Sequence, residues 1–214
     1  MKILILNANS DKKINLLVKK RVKELSFGSK YKFYFDYLKK APLSIQGSKD
    51  GTLAKKELIN YFNNKNNQKY DQYVLCCFDD IAYDEIKKIV KKPIYTLCKS
   101  SLMYSRTFKG KTLILTINHK SIKVIKKLLF KYKYQKIKVK ALNINIKDIY
   151  KKNFKKLLSQ SIGKIIKKDP KIKNIILGST GLTKFKNAIK KDYNINFIDG
   201  LECSLYFTGV KNEK

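Results

Sequence analysis

Tyr73-Val74-Leu75-Cys76-Cys77-Phe78-Asp79-Asp80 is the stretch on which the fold turns. The apolar run Tyr73–Cys76 reads as a buried strand, Cys77 stands at its end, and the periodic segment 81–90 reads as a helix. A thiol between a strand's carboxyl end and a helix's amino end occupies the place where α/β sheets put their ligands. The free N–H groups and dipole of that helix would favour thiolate. Asp79 and Asp80 would oppose it unless they are spent in capping the helix. Cys76, inside the apolar run, is expected to pack in the core.

Working outward, strands alternate with helices along the whole chain. Residues 2–6 form an apolar run ending in Asn7-Ala8-Asn9-Ser10, followed by a helical period over 14–25 that Ser10 or Asp11 could cap and Gly28 could end. Residues 31–37 read as a strand, 42–51 as a loop, 53–63 as a helix, 63–68 as a polar turn and 93–97 as a fourth strand. A composition break at Cys98–Gly110, rich in serine, marks the boundary between two halves. The second half repeats the pattern: strands over 111–117, 136–142, 174–178 and 196–198, with helices over 121–131, 150–168, from Leu182 to about Lys191, and from Gly200 through Tyr206. The reading is an α/β protein of two similar Rossmann-like lobes, each a four-stranded parallel sheet flanked by helices, related by a pseudo-two-fold axis. Residues 1–98 form the first lobe and 99–199 the second, with the terminal helix, about 200–214, packing back on the first. The third strand of each half ends at a small polar nucleophile, Cys77 and Ser179, so facing lobes bring the two into one cleft. Helix capping is the alternative use for Ser179 and Thr180.

A chain of 214 residues can bury a core without disulfides or metals. Its four cysteines, Cys76, Cys77, Cys98 and Cys203, are spaced poorly for a disulfide framework or a zinc site, so reduced thiols, no metal and a cytoplasmic location are expected. The opening apolar run is too short for a signal peptide, and no run approaches the ~20 residues of a membrane span. The net charge of +33 invites a nucleic-acid reading. Against it, only Arg21 and Arg106 are arginine, and arginine is the side chain suited to bidentate phosphate and guanine contacts. The lysines are spread along the chain and accompany abundant Ile, Asn, Tyr and Phe, as an A/T-rich codon bias would produce. Between Glu85 and Asp169 the one acidic residue is Asp148, a basic stretch able to steer small anions. No specific nucleic acid and no membrane partner is expected, and a homo-oligomer is compatible with this reading.

Four stretches in order resemble the aspartate/glutamate/hydantoin racemase superfamily, and most its hydantoin and allantoin racemase branch. Asn7-Ala8-Asn9-Ser10 is similar to that branch's Asn-Pro-Asn-Thr loop, and Cys77-Phe78-Asp79-Asp80 to its Cys-Phe-Gly-Asp or Cys-Phe-Asp-Asp motif. Pro93-Ile94 leads the fourth strand, and Leu177-Gly178-Ser179-Thr180-Gly181-Leu182 is similar to Leu-Gly-Cys-Ala-Gly-Met. The resemblance spans nearly the whole chain. It implies a cofactor-independent racemase in which two cysteines, on opposite faces of the substrate's α-carbon, remove and return its proton. A thiol suits this because its ordinary pKa, ~8.5, makes both forms accessible near neutrality. The resemblance carries Cys77 and Ser179 into the catalytic positions. It implies that Asn9, Ser10, Asp79, Thr116 and backbone N–H groups at Phe78 and Thr180 hold the carboxylate or imide of a small substrate.

The departure is Ser179, where the family has its second cysteine. A serine hydroxyl is a much weaker acid than a thiol and needs a partner to act as a base. Lys184 on the following helix and His119, the sole histidine, are the candidates to activate it. The asparagine-threonine and threonine-histidine pairs beside the cysteines of the glutamate branch are missing, which argues against glutamate. Family members with one cysteine perform decarboxylation with proton return, though there the surviving cysteine is the second. The expected function is racemase-like proton transfer at the α-carbon of an amino acid, hydantoin or related small acid. The alternatives are a single-cysteine or non-catalytic relative that binds a small anion, and a basic nucleic-acid binder.

Overall fold

The computed structural model describes residues 1–26, 30–144 and 146–210. Gly28, the expected stop of the first helix, lies outside them. Two four-stranded sheets carry the fold, ordered β2-β1-β3-β4 and β6-β5-β7-β8, with every neighbouring pair parallel. The first comprises β1 (Lys2–Asn7), β2 (Lys32–Tyr37), β3 (Gln72–Cys76) and β4 (Ile94–Thr96). The second comprises β5 (Lys111–Thr116), β6 (Lys138–Ala141), β7 (Ile172–Leu177) and β8 (Asn196–Asp199). The helices are α1 (Lys12–Leu25), α2 (Ser48–Asn63), α3 (Tyr83–Ile89), α4 (Leu97–Ser105), α5 (Lys120–Lys131), α6 (Phe154–Lys168), α7 (Lys186–Lys190) and α8 (Gly200–Phe207). The expected repeated α/β architecture is the observed one.

The strand order explains where a site can form. After β1 the chain crosses to β2 on one side; after β2 it crosses over β1 to β3 on the other. The chain therefore diverges between β1 and β3, and the loops leaving their carboxyl ends part to leave a crevice. Register places Asn7 beside Cys76 at that end. The second sheet repeats the arrangement between β5 and β7, where Leu115 pairs with Leu177 and the Gly178 N–H donates to the Leu115 carbonyl at 2.9 Å. Residue for residue, Asn7 corresponds to Thr116, Asn9 to Asn118, and Cys77 to Ser179.

Three local readings change. The stretch Cys98–Gly110 is helical over Leu97–Ser105 rather than an open break. Ser101 and Ser105 can be buried because their hydroxyls bond back along the helix, Ser101 to the Leu97 carbonyl and Ser105 to that of Leu102, both at 2.7 Å. Their small size lets α4 pack against α8, whose Ser204 makes the same internal bond to Gly200 at 2.8 Å. Secondly, α3 starts two residues later than its apolar period suggests, because Asp80 and Ala82 take positive φ, 44° and 56°, and keep the chain in a turn. Lastly, the segment after Ser179 is a 3-10 turn over Thr180–Phe185 before α7 begins.

Candidate active site

The loops leaving β1, β3, β5 and β7 surround a cavity of about 520 Å³, a size suited to a small organic ligand. Cys77 and Ser179 both line it, as do Asn9, Phe78, Asp79, Thr116 and Thr180. Ser10 does not: its backbone N–H instead donates to the Pro42 carbonyl at 3.1 Å and anchors the neighbouring loop. Of the catalytic and substrate-binding residues read from the sequence, the cleft therefore gathers all but Ser10.

Local chemistry holds each of them. The Asn9 carboxamide oxygen accepts from the Asp11 N–H and the Asn7 amide, both at 3.0 Å, which leaves the Asn9 amide nitrogen as the group available to a ligand. Asp11, not Ser10, caps α1, accepting from the Lys13 N–H at 2.8 Å and the Ile14 N–H at 3.4 Å. Ser179 stands at the start of its 3-10 turn yet makes no side-chain capping bond, so its hydroxyl is not consumed as a cap. His119 is exposed and outside the cavity lining. Lys184 also lies outside it, its ammonium over the rings of Tyr150 and Phe185 at 5.3 and 4.8 Å. Neither candidate activator of Ser179 reaches the cavity wall.

Cys77 departs from the thiolate expectation. The helix meant to stabilise the anion begins only at Tyr83, beyond the turn at Asp80 and Ala82. Burial pushes the Cys77 thiol well above its ordinary range, and the Asp79 carboxylate pushes it further; one hydrogen bond from the Asp79 N–H to the sulfur acts in the other direction. The resting group is a thiol. Asp79, raised by burial and then by Asp80, is pushed up to about 7. Neither aspartate caps the following helix, for α3 has no side-chain capping bond; the Asp80 carboxylate instead accepts from the Cys98 and Lys99 N–H groups that open α4, at 3.0 Å each.

Several lining residues escaped the sequence reading. Asn118 is the second-half counterpart of Asn9, and the repeat itself was the signal that could have found it. The loop Pro42–Gln46 and Asp50 cover one side, and the buried Ser44 hydroxyl has no partner among the described residues. Tyr150 closes the seam between the halves, donating to Asp11 at 2.7 Å. Cys76 is buried as expected and also forms part of the wall. The lining contains the carboxylates of Asp11, Asp50 and Asp79 and no lysine, arginine or histidine among the described residues, in a chain carrying 49 basic residues. No group of three or more metal-binding side chains occurs among the described residues.

A two-lobed α/β fold with a thiol and a hydroxyl at matching strand ends of one crevice defines the class: an α/β protein with a cavity formed at the strand ends of its two halves. Residues 3–206 match the Asp/Glu/hydantoin racemase family model, and the chain belongs to that family. Membership together with its hydantoin racemase relatives supports an isomerase activity. A hydantoin racemase from Rhizobium meliloti is 23% identical over 168 residues, covering 77% of this chain and 69% of that protein. An allantoin racemase from Klebsiella pneumoniae superposes with a TM-score of 0.88 at 14% identity, covering 100% of this chain and 90% of the other. A glutamate racemase from Campylobacter jejuni superposes at 0.68 and 16% identity, covering 100% and 89%.

Proposed function

We propose that this protein exchanges the proton on the α-carbon of a small, electroneutral cyclic imide or ureide of the hydantoin type, with Cys77 as the acid/base on one face. The observation that carries the reading is the wall itself: Cys77 and Ser179 at equivalent strand ends, in a cavity lined by three carboxylates and no cationic side chain. A substrate carboxylate would meet like charge there without a paired cation, whereas an imide can accept from the Asn9 and Asn118 amides and the Thr116 hydroxyl. The names of the related hydantoin and allantoin racemases point the same way.

The chemistry follows from the groups in the wall. Cys77 must first give its thiol proton to solvent; the thiolate then takes the proton from carbon, forming S–H as C–H breaks, and the C–H electron pair delocalises onto the imide oxygens, where neutral donors stabilise it. Return of the proton from the Cys77 side retains configuration; return from the Ser179 side inverts it. With neither Lys184 nor His119 at the wall, the hydroxyl of Ser179 is a poor donor, so exchange on the Cys77 face outpaces inversion. No cofactor is invoked. The experiment is a comparison of enantiopure 5-substituted hydantoins with glutamate and aspartate, following α-proton exchange in deuterated water. Exchange of hydantoins and none of the dicarboxylates is the expected result; faster exchange of glutamate would overturn the charge argument.

A further inference from the structure

Each half binds the turn after its third strand to the helix after its fourth through one buried carboxylate. In the first half Asp80 lies in the turn and accepts from the Cys98 and Lys99 N–H groups that open α4, both at 3.0 Å. In the second half the carboxylate sits on the other side: Asp199 opens α8, accepting from the Leu201 N–H at 2.9 Å, and the turn supplies the Thr183 hydroxyl to it. Each carboxylate is also met by a side chain from the opposite half. The Tyr132 hydroxyl, at the end of α5, donates to Asp80 at 3.0 Å. Arg21 of α1 stands 4.0 Å from Asp199. Asp80 is 6% exposed and Asp199 3%, so these ties lie in the interior, where surface screening does not dilute them. Around the first, Lys99 and Lys131 lie over the Tyr132 ring at 6.0 and 5.4 Å, and Lys131 pairs with Asp84.

We propose that Asp80 with Tyr132, and Asp199 with Thr183 and Arg21, are positioning residues that fix the Cys77 and Ser179 turns relative to one another across the cleft. None of the five lines the cavity. Asp80 follows Cys77 by three residues, its N–H donating to the Cys77 carbonyl at 3.3 Å and its carbonyl accepting from Tyr83 at 3.3 Å. Movement of its carboxylate therefore moves the turn that carries the thiol. The positive φ of 44° at Asp80, unfavourable for a side-chain-bearing residue, is the conformation the tie maintains. The inference rests on Cys77 being the reactive group, as proposed above.

Tyr132→Phe removes one donor and keeps the ring. Amide hydrogen exchange over residues 77–83 should quicken by about tenfold, and α-proton exchange turnover should fall by about tenfold with KM held within about twofold, since a small misplacement of a reacting group costs rate rather than binding. Thr183→Val should lower inversion relative to retention, because it frees the Ser179 turn alone. Tyr193→Phe, which removes a hydroxyl bonded to the Ser159 carbonyl, serves as the control and should change neither readout. Unchanged amide exchange in Tyr132→Phe would overturn the tie, whatever the activity. Quickened amide exchange with unchanged turnover would overturn its positioning role. An unmodified protein that exchanges no substrate proton would remove the function reading, and the amide data would still decide whether the tie exists.

Discussion

At the residue scale the chemistry is set by what surrounds one sulfur. Burial and the neighbouring Asp79 hold Cys77 as a thiol, so its alkylation by a small electrophile should climb steadily from pH 7 through pH 9 without a plateau, because the thiolate is the reacting form. Peptide mapping should find Cys77 labelled before the buried Cys76, Cys98 and Cys203. Asp79→Asn removes the largest charge acting against the thiolate and should speed that alkylation severalfold at pH 8. The same substitution has a stability signature. Asp79 is raised to about 7 in the folded protein from an ordinary value near 4, so its contribution is complete below about pH 4 and is lost as pH rises through 7. Chemical denaturation between pH 4 and 8 should show a flatter profile for Asp79→Asn than for the unmodified chain. An unaltered slope would mean that Asp79 is more open to water than its place in the wall implies.

At the element scale most of the architecture was legible, for physical reasons that also mark where legibility stopped. Parallel strands buried on both faces read as apolar runs, and Val74, Leu75, Ile175 and Ile176 announce theirs directly. The ends of β3 and β7 could be found because a polar residue interrupts each run. Three things were hidden. The true start of α3 depends on positive φ at Asp80 and Ala82, which side-chain periodicity does not encode. The serines of α4 look like a linker until their back-bonding to Leu97 and Leu102 is seen. The loop at Pro42–Gln46 enters the site only through tertiary folding, held by the Ser10 N–H. The close approach of α4 and α8 yields a prediction of its own. A Cβ on Gly200 would lie 2.8 Å from both the Leu97 carbonyl oxygen and its Cβ. Gly200→Ala should therefore cost about 1–3 kcal/mol in urea unfolding, the usual range for overpacking, and a neutral result would show that the helices can slide apart.

At the scale of the whole molecule, two opposite charge patterns coexist. The chain carries a net charge of +33, while its cavity wall has carboxylates and no cation among the described residues. The excess of lysine is spread over exposed helix faces, so binding to duplex DNA should be non-specific and collapse between low and physiological salt. A sequence preference surviving at physiological salt would instead call for a built interface. No helix among the described residues is long and apolar enough to cross a membrane. The two-fold repeat gives one half a thiol and the other a hydroxyl, and that asymmetry is the centre of the functional account. It is tested most directly by incubating each enantiomer of a 5-substituted hydantoin in deuterated water and following deuterium and configuration together. The account predicts deuterium gained with retention in the unmodified protein, none in Cys77→Ala, and inversion raised about 10²–10⁴-fold by Ser179→Cys, the range a competent general acid supplies. Deuterium uptake that persists in Cys77→Ala, or that is absent from both the unmodified protein and Ser179→Cys, would contradict it.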